Sequence, residues 1–278
     1  MRNRINGAVS IAGQTDTGRV RSHNEDYIEW NAEQGLVVLA DGMGGARAGE
    51  VASALAVKTM ISEVNSALSR ERQPLGQVDP GTSLTRAGRL LGAALNHANH
   101  TVFQVSKGQP QYAGMGTTLV SVMFYDDAMS VAYVGDSRLY RFRAGELMQM
   151  TEDHTVVQEL VKGGFYTPEQ AQTAVNKNIV TRAVGVEDDI KVDVFEAPVR
   201  PTDVYLFCSD GLSDMVDDAE IADILSRRQA DLAQAADALI AAANGHGGHD
   251  NVSVILARVE ESFAAERGWR HRLTDWFF

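Results

Sequence analysis

An α+β fold is what this sequence predicts. Strand-type and helix-type runs stand in blocks, without the regular strand–helix–strand alternation of a doubly wound sheet. Two long stretches of helical spacing adjoin one another. The strands after them are almost continuously apolar, as strands packed inside a sandwich are.

In chain order, residues 9–12 read as a short strand, and 27–30 with 36–40 as a hairpin turning near Gly35. Residues 48–70 then change period: Ala54, Val57, Ile61, Val64 and Leu68 fall three and four apart and share one helix face. Pro74, Gly76, Pro80 and Gly81 separate this helix from a second, at about 84–105, striped by Leu91, Leu95, Ala98 and Val102. Strands are expected at 118–125, 129–134 and 139–143, divided by Asp126-Asp127 and by a Gly135-Asp136-Ser137 corner. Residues 152–178 are polar and helix-leaning, with Gly163, Gly164 and Pro168 interrupting, which reads as a mobile excursion. Strands at 191–196 and 204–208, helices at about 218–227 and 231–244, and a strand at 252–259 complete the pattern.

Composition narrows the function. The 278 residues are 44% hydrophobic and 22% charged, ordinary for a globular chain with a sizeable core. A formal net charge of -12 argues against nucleic acid as a partner, because that binding rests on Lys and Arg neutralising phosphates. Cys208 is the single cysteine, which fits a reducing cytoplasm and excludes a disulfide framework. It is no Cys-x5-Arg nucleophile either, since the residue six positions on is Asp214, so it reads as a small buried hydrophobe. No apolar run is long enough for a signal peptide or a membrane span.

The chemistry lies in five acidic residues at expected strand ends: Glu25, Asp41, Asp136, Asp210 and Asp250. Most stand beside glycine, which lets backbone carry a carboxylate close to a shared ligand. Carboxylates converging in this way select hard cations, magnesium or manganese rather than zinc or copper. Any one Asp-Gly pair is an ordinary turn, and only their agreement tells against that. Gly42 to Gly45 lacks the third glycine of a dinucleotide loop, and Asp41 would repel a pyrophosphate. His246 and His249 read as solvated loop residues, and His97 and His100 as helix-surface residues.

Taken in order, Arg21-x-x-x-Glu25-Asp26, Asp41-Gly42-x-Gly44-Gly45, Gly116-Thr117-Thr118, Gly135-Asp136-Ser137-Arg138, Ser209-Asp210-Gly211 with Asp214, and Asp250-Asn251 resemble the metal-dependent, type 2C protein phosphatases. The motifs span nearly the whole chain. The resemblance implies a four-layer αββα sandwich, two antiparallel sheets flanked by helices. It implies two Mn²⁺ or Mg²⁺ ions, with Asp41 bridging both, the Gly42 carbonyl as a further ligand, and Glu25, Asp210 and Asp250 completing the set. Asp26 and Asn251 would orient ligands and waters. Asp136 and Asp214 match the ligands of a third, weaker ion in bacterial relatives. Arg21 would grip the phosphate in bidentate fashion. Where many eukaryotic relatives place a histidine, this chain has Met43, so no general acid is named.

The expected organisation is a catalytic domain over 1–260, with the 152–178 excursion as a flap near the site, and a basic, aromatic tail over 261–278. That tail holds Phe263, Trp269, Trp276, Phe277 and Phe278 among Arg267, Arg270, His271 and Arg272, and is the one part suited to a partner or membrane surface. The expected function is a stand-alone serine/threonine protein phosphatase. It would act by direct attack of a metal-bridging hydroxide on phosphorylated proteins and oppose a bacterial Ser/Thr kinase. The alternative is a silent, phosphoprotein-binding pseudophosphatase, which lost ligands would mark.

Overall fold

A computed structural model of the chain describes residues 5, 7–45, 47–71, 73–167, 170–171, 174 and 179–265. Among the described residues, eleven strands form two sheets in which every pairing is antiparallel. The first sheet is ordered β1 (Val9–Asp16), β11 (Val252–Val259), β10 (Val204–Cys208), β7 (Arg138–Arg143), β8 (Glu146–Gln149). The second is ordered β2 (Asp26–Asn31), β3 (Leu36–Met43), β5 (Leu119–Tyr125), β6 (Ala128–Val134), β9 (Asp193–Pro198), with the two-residue β4 (Gly116–Thr117) against β3.

Strand alternation builds three apolar slabs from these sheets. Val37 and Leu39 of β3, Val120 and Val122 of β5, and Tyr205 and Phe207 of β10 meet between the sheets. The neighbours that alternate with them point outward. Leu36, Val38 and Ala40 take the long helices α1 (Ala48–Arg70) and α2 (Arg86–Gly108). Val204, Leu206 and Cys208 take α5 (Asp218–Arg228) and α6 (Leu232–Gly245). The order is therefore helices, sheet, sheet, helices, the four-layer sandwich the motifs implied. Two shorter helices, α3 (Val156–Lys162) and α4 (Asp210–Ser213), lie near one end of it.

Caps set the helix starts: Thr85, Thr155, Asp217 and Asp231 each accept a backbone N–H from the first turn. One side chain joins the two long helices. The buried Arg86 guanidinium donates to the carbonyls of Ala67, Glu71 and Gln73, satisfying the C-terminal end of α1 from the start of α2.

Strand β8 was not legible, because Glu146 to Gln149 carries no apolar run and alternates exposed with half-buried residues at a sheet edge. Its pairing with β7 defines it. In the 152–178 excursion, α3 is the described helix, and its roots are joined where Val156 N–H donates to the Ile179 carbonyl. Phe263, assigned by sequence to the tail, packs into the slab between the sheets, and its N–H donates to Asp127. The basic and aromatic residues from Arg267 onward lie outside the described residues.

Candidate active site

Antiparallel pairing brings the ends of alternating strands to one end of the sandwich. Asp41 lies near the end of β3, and Asp26, its register partner, opens β2. Asp136 sits in the turn where the chain leaves β6 for β7 in the other sheet. Asp210 follows β10, and Asp250 with Asn251 precedes β11. All the acidic corners singled out from sequence therefore share one end of the molecule.

Short hydrogen bonds hold these corners in register. Thr118 donates its N–H to the Asp41 carbonyl at 2.8 Å, and its hydroxyl meets that of Ser137 at 2.7 Å. Asn251 accepts the Glu25 N–H through Oδ1 and donates Nδ2 to the carbonyls of Thr17 and His23, so one amide ties three segments. The Ser209 hydroxyl donates to Asp26 and accepts the Ser253 N–H. Glycine is required at Gly42: a Cβ there would meet the Gly49 backbone and stand 2.5 Å from the Glu25 carbonyl. This close approach lays the Glu25 carboxylate on the first turn of α1, where the Gly49 and Glu50 amides favour its charged form.

The electrostatics are those of an acid cluster in which like charges and burial outweigh the nearby arginines. Burial first, and then the charges of Asp26, Asp210, Asp136 and Asp250, push the Asp41 carboxyl well above the usual carboxylate range. Burial followed by neighbouring aspartates raises Asp210 in the same way. Burial also raises Asp26 and Glu25, and lifts Asp136 to about 6. Asp26 Oδ1 is buried without a hydrogen-bond partner among the described residues. The acidic side chains at these corners offer oxygen donors, and a buried acceptor is left over, which fits a hard divalent cation and not zinc or copper. Among the described residues, no three His, Cys, Asp or Glu side chains yet form a ready-made chelate.

Arg21 stands at the rim, half exposed, with Nη2 donating to Asp250 Oδ2 at 2.7 Å. Met43 is half-buried beside this end. His246 pairs with Glu220 and His100 with Asp188 at the surface, as expected of solvated residues. Cys208 is fully buried in the apolar slab under α5 and α6, where burial drives its thiol up to about 12.

Three residues at this end carried no assignment in the sequence. Thr118 stood in a recognised motif without a role. Asp153 and His154 stood in a segment read as excursion, and only the folded chain brings them against the Asp136 corner.

The protein phosphatase 2C family model matches residues 15–243. The chain belongs to that family. A serine/threonine phosphatase of Listeria welshimeri is 38% identical over 249 residues, covering 87% of this chain and 93% of that protein. Among solved structures, the Mycobacterium tuberculosis serine/threonine phosphatase PstP superposes with a TM-score of 0.78 at 36% identity, covering 91% of this chain and 99% of the other. The PstP catalytic domain in complex with two manganese ions gives a TM-score of 0.76 at 36% identity, with the same coverage of both chains. As a member of the protein phosphatase 2C family, the chain has the two-sheet, helix-flanked sandwich of these structures.

Proposed function

We propose that this protein is a metal-dependent phosphatase that hydrolyses phosphoserine and phosphothreonine on proteins. Its kinship with named serine/threonine phosphatases over most of their length supports this. The observation that carries the chemistry is the convergence of Asp41, Asp210, Asp136 and Asp250 at one end, where the charges of Asp136 and Asp250 add to burial in raising both Asp41 and Asp210, with Arg21 at the rim. Asp41, the Gly42 carbonyl, Glu25, Asp210 and Asp250 would hold two Mn²⁺ or Mg²⁺ ions, and Asp136 with Asp214 a third, weaker one. Such a pair of cations supplies charge neutralisation for the ester dianion and a water of lowered pKa.

The chain's own residues decide the rest. Direct attack by water is favoured because, among the described residues, the thiol and the hydroxyl next to Asp210 are both taken up. Cys208 is buried with its thiol held protonated, and the buried Ser209 hydroxyl is committed to Asp26. Arg21 exchanges Asp250 for the substrate phosphate, offering the planar fork that lysine lacks. Asn251 and Asp26 keep the corners aligned. A silent binding module would have lost acid corners, and Glu25, Asp41, Asp210 and Asp250 all stand at the site.

Physiologically, we read the enzyme as opposing a bacterial Ser/Thr kinase in the cytoplasm. No helix of the described residues is long and apolar enough to cross a membrane. The deciding experiment is Mn²⁺-dependent phosphate release from a phosphothreonine peptide, wild type against Asp210→Asn, with an EDTA control. Turnover that needs metal and collapses in the variant supports the reading. A folded, metal-loaded wild type without turnover overturns it in favour of a phosphoprotein-binding module.

A further inference from the structure

Two consecutive side chains, Asp153 and His154, face opposite ways at the acid end and each grips a different sheet. Asp153 belongs with the first sheet. Its carboxylate accepts Arg138 Nε at 3.0 Å and Nη2 at 2.7 Å, a bidentate pair at the start of β7, and Gln149 Nε2 at 2.9 Å from the end of β8. His154 belongs with the second sheet. Its ring stacks on Tyr133 of β6, with centroids 5.1 Å apart and planes 22° apart. Its Nε2 lies 2.9 Å from Asp193 Oδ2 at the start of β9.

Between those two grips lies the Gly135-Asp136-Ser137 turn, where the chain crosses from one sheet to the other. His154 holds this turn twice. The Gly135 N–H donates to His154 Nδ1 at 3.0 Å, and the His154 N–H donates back to the Gly135 carbonyl at 3.0 Å. A backbone N–H can only donate, so Nδ1 must be the accepting nitrogen, and the ring proton sits on Nε2, facing Asp193. With both nitrogens used and the ring 1% exposed, the imidazole has one orientation. Gly135 is equally constrained: it has φ +105, and a Cβ there would lie 2.6 Å from Thr118 Cβ.

The same dipeptide also roots the excursion. The His154 carbonyl accepts the Thr181 N–H at 2.7 Å, and Asp193 also accepts Arg182 Nη1 at 3.1 Å. Both ends of the excursion thereby meet at His154, which itself bonds the Gly135 backbone one residue before Asp136.

We propose that Asp153 and His154 are positioning residues that clamp the two sheets across the Asp136 turn and so orient the Asp136 carboxylate toward the third, weaker cation. This rests on the reading of Asp136 as a ligand of that cation. A well-packed core histidine with no bearing on Asp136 would show the same burial and the same hydrogen bonds. What separates the two accounts is whether the effect of losing His154 passes through Asp136.

The test is a double-mutant cycle on the full chain, read by calorimetric Mn²⁺ titration and by Mn²⁺-dependent turnover of a phosphothreonine peptide. His154→Ala is expected to weaken the weakest Mn²⁺ step by about tenfold or more, the usual effect of removing an orienting partner. Asp136→Asn is expected to weaken the same step, and the double variant to be within about twofold of Asp136→Asn alone. Additive losses in the double variant would overturn the clamp while leaving Asp136 a ligand. An Asp136→Asn variant that keeps every Mn²⁺ step of the wild type overturns the ligand reading, and the proposal with it. Should His154→Ala fail to fold, Asp153→Asn loosens the opposite arm and faces the same criterion against Asp136→Asn.

Discussion

Strand β10 has a carboxylate beyond each end, fully buried at Asp203 and half-buried at Asp210, and the two could hardly be treated more differently. Asp203, just before it, is fully buried and satisfied. Arg143 donates Nε and Nη2 to its two oxygens at 2.6 Å each, and the Arg200 N–H and Tyr205 hydroxyl complete the shell. Asp210, just after it, faces Asp136, Asp250, Asp214 and Asp26, and burial with their like charges raises its carboxyl far above the usual range. A buried charge without a partner is costly, and folding tolerates it where a ligand supplies the missing charge. The Asp203 end is built for stability, and the Asp210 end, on the function proposed above, for a cation.

The largest effect that would break this contrast is on turnover. Asp210→Asn should lower phosphopeptide hydrolysis by about a thousandfold or more, several kcal/mol in the barrier. The metal-free protein should meanwhile melt no lower than wild type, because a repelled charge has gone. A variant that keeps its rate would place Asp210 outside the chemistry.

Asp203→Asn should do the reverse. Removing one partner of a buried pair strands the Arg143 charge, at a cost of about 2–4 kcal/mol in stability. Urea unfolding would show this as a lower midpoint, while the folded fraction keeps its specific activity. Loss of activity without loss of stability would reverse the roles of the two ends.

A pH series on EDTA-treated protein sharpens the comparison further. The Asp136 carboxyl is held at about 6 by burial and by Asp153, against 3.8 for the ordinary group. Between those values the folded state binds more protons than the unfolded chain, so stability falls as pH rises through the window. The thermal midpoint should therefore drop between about pH 4 and 6 in the wild type and drop less in Asp136→Asn, and saturating Mn²⁺ should remove the difference. Equal slopes in both proteins would mean Asp136 is compensated. The smallest effect expected is that of Arg21→Lys: the charge stays and the fork is lost, so KM for phosphopeptide should rise about tenfold. An unchanged KM would leave Arg21 as a partner of Asp250 alone.

Much of this was legible before folding. The helical period of 48–70 survives to the residue as α1, and the strands expected at 204–208 and 252–259 are β10 and β11. The acid corners announced themselves because each needs glycine or a small polar neighbour locally. β8 escaped because an edge strand of four residues has no apolar face to declare it. Asp153 and His154 escaped for another reason. Nothing in their local sequence distinguishes a capping aspartate and a solvated histidine from a bidentate partner and a buried ring.

What the sequence determined by itself was therefore the set of pieces: element types, the turn chemistry between them and an all-oxygen donor set. These are properties of a few consecutive residues. Tertiary structure alone decided which pieces meet: Arg21 with Asp250, Asp26 beside Asp41, and the clamp of Asp153 and His154 across two sheets. Those meetings depend on register and on burying both faces of two sheets at once, a balance over the whole core that no short segment encodes.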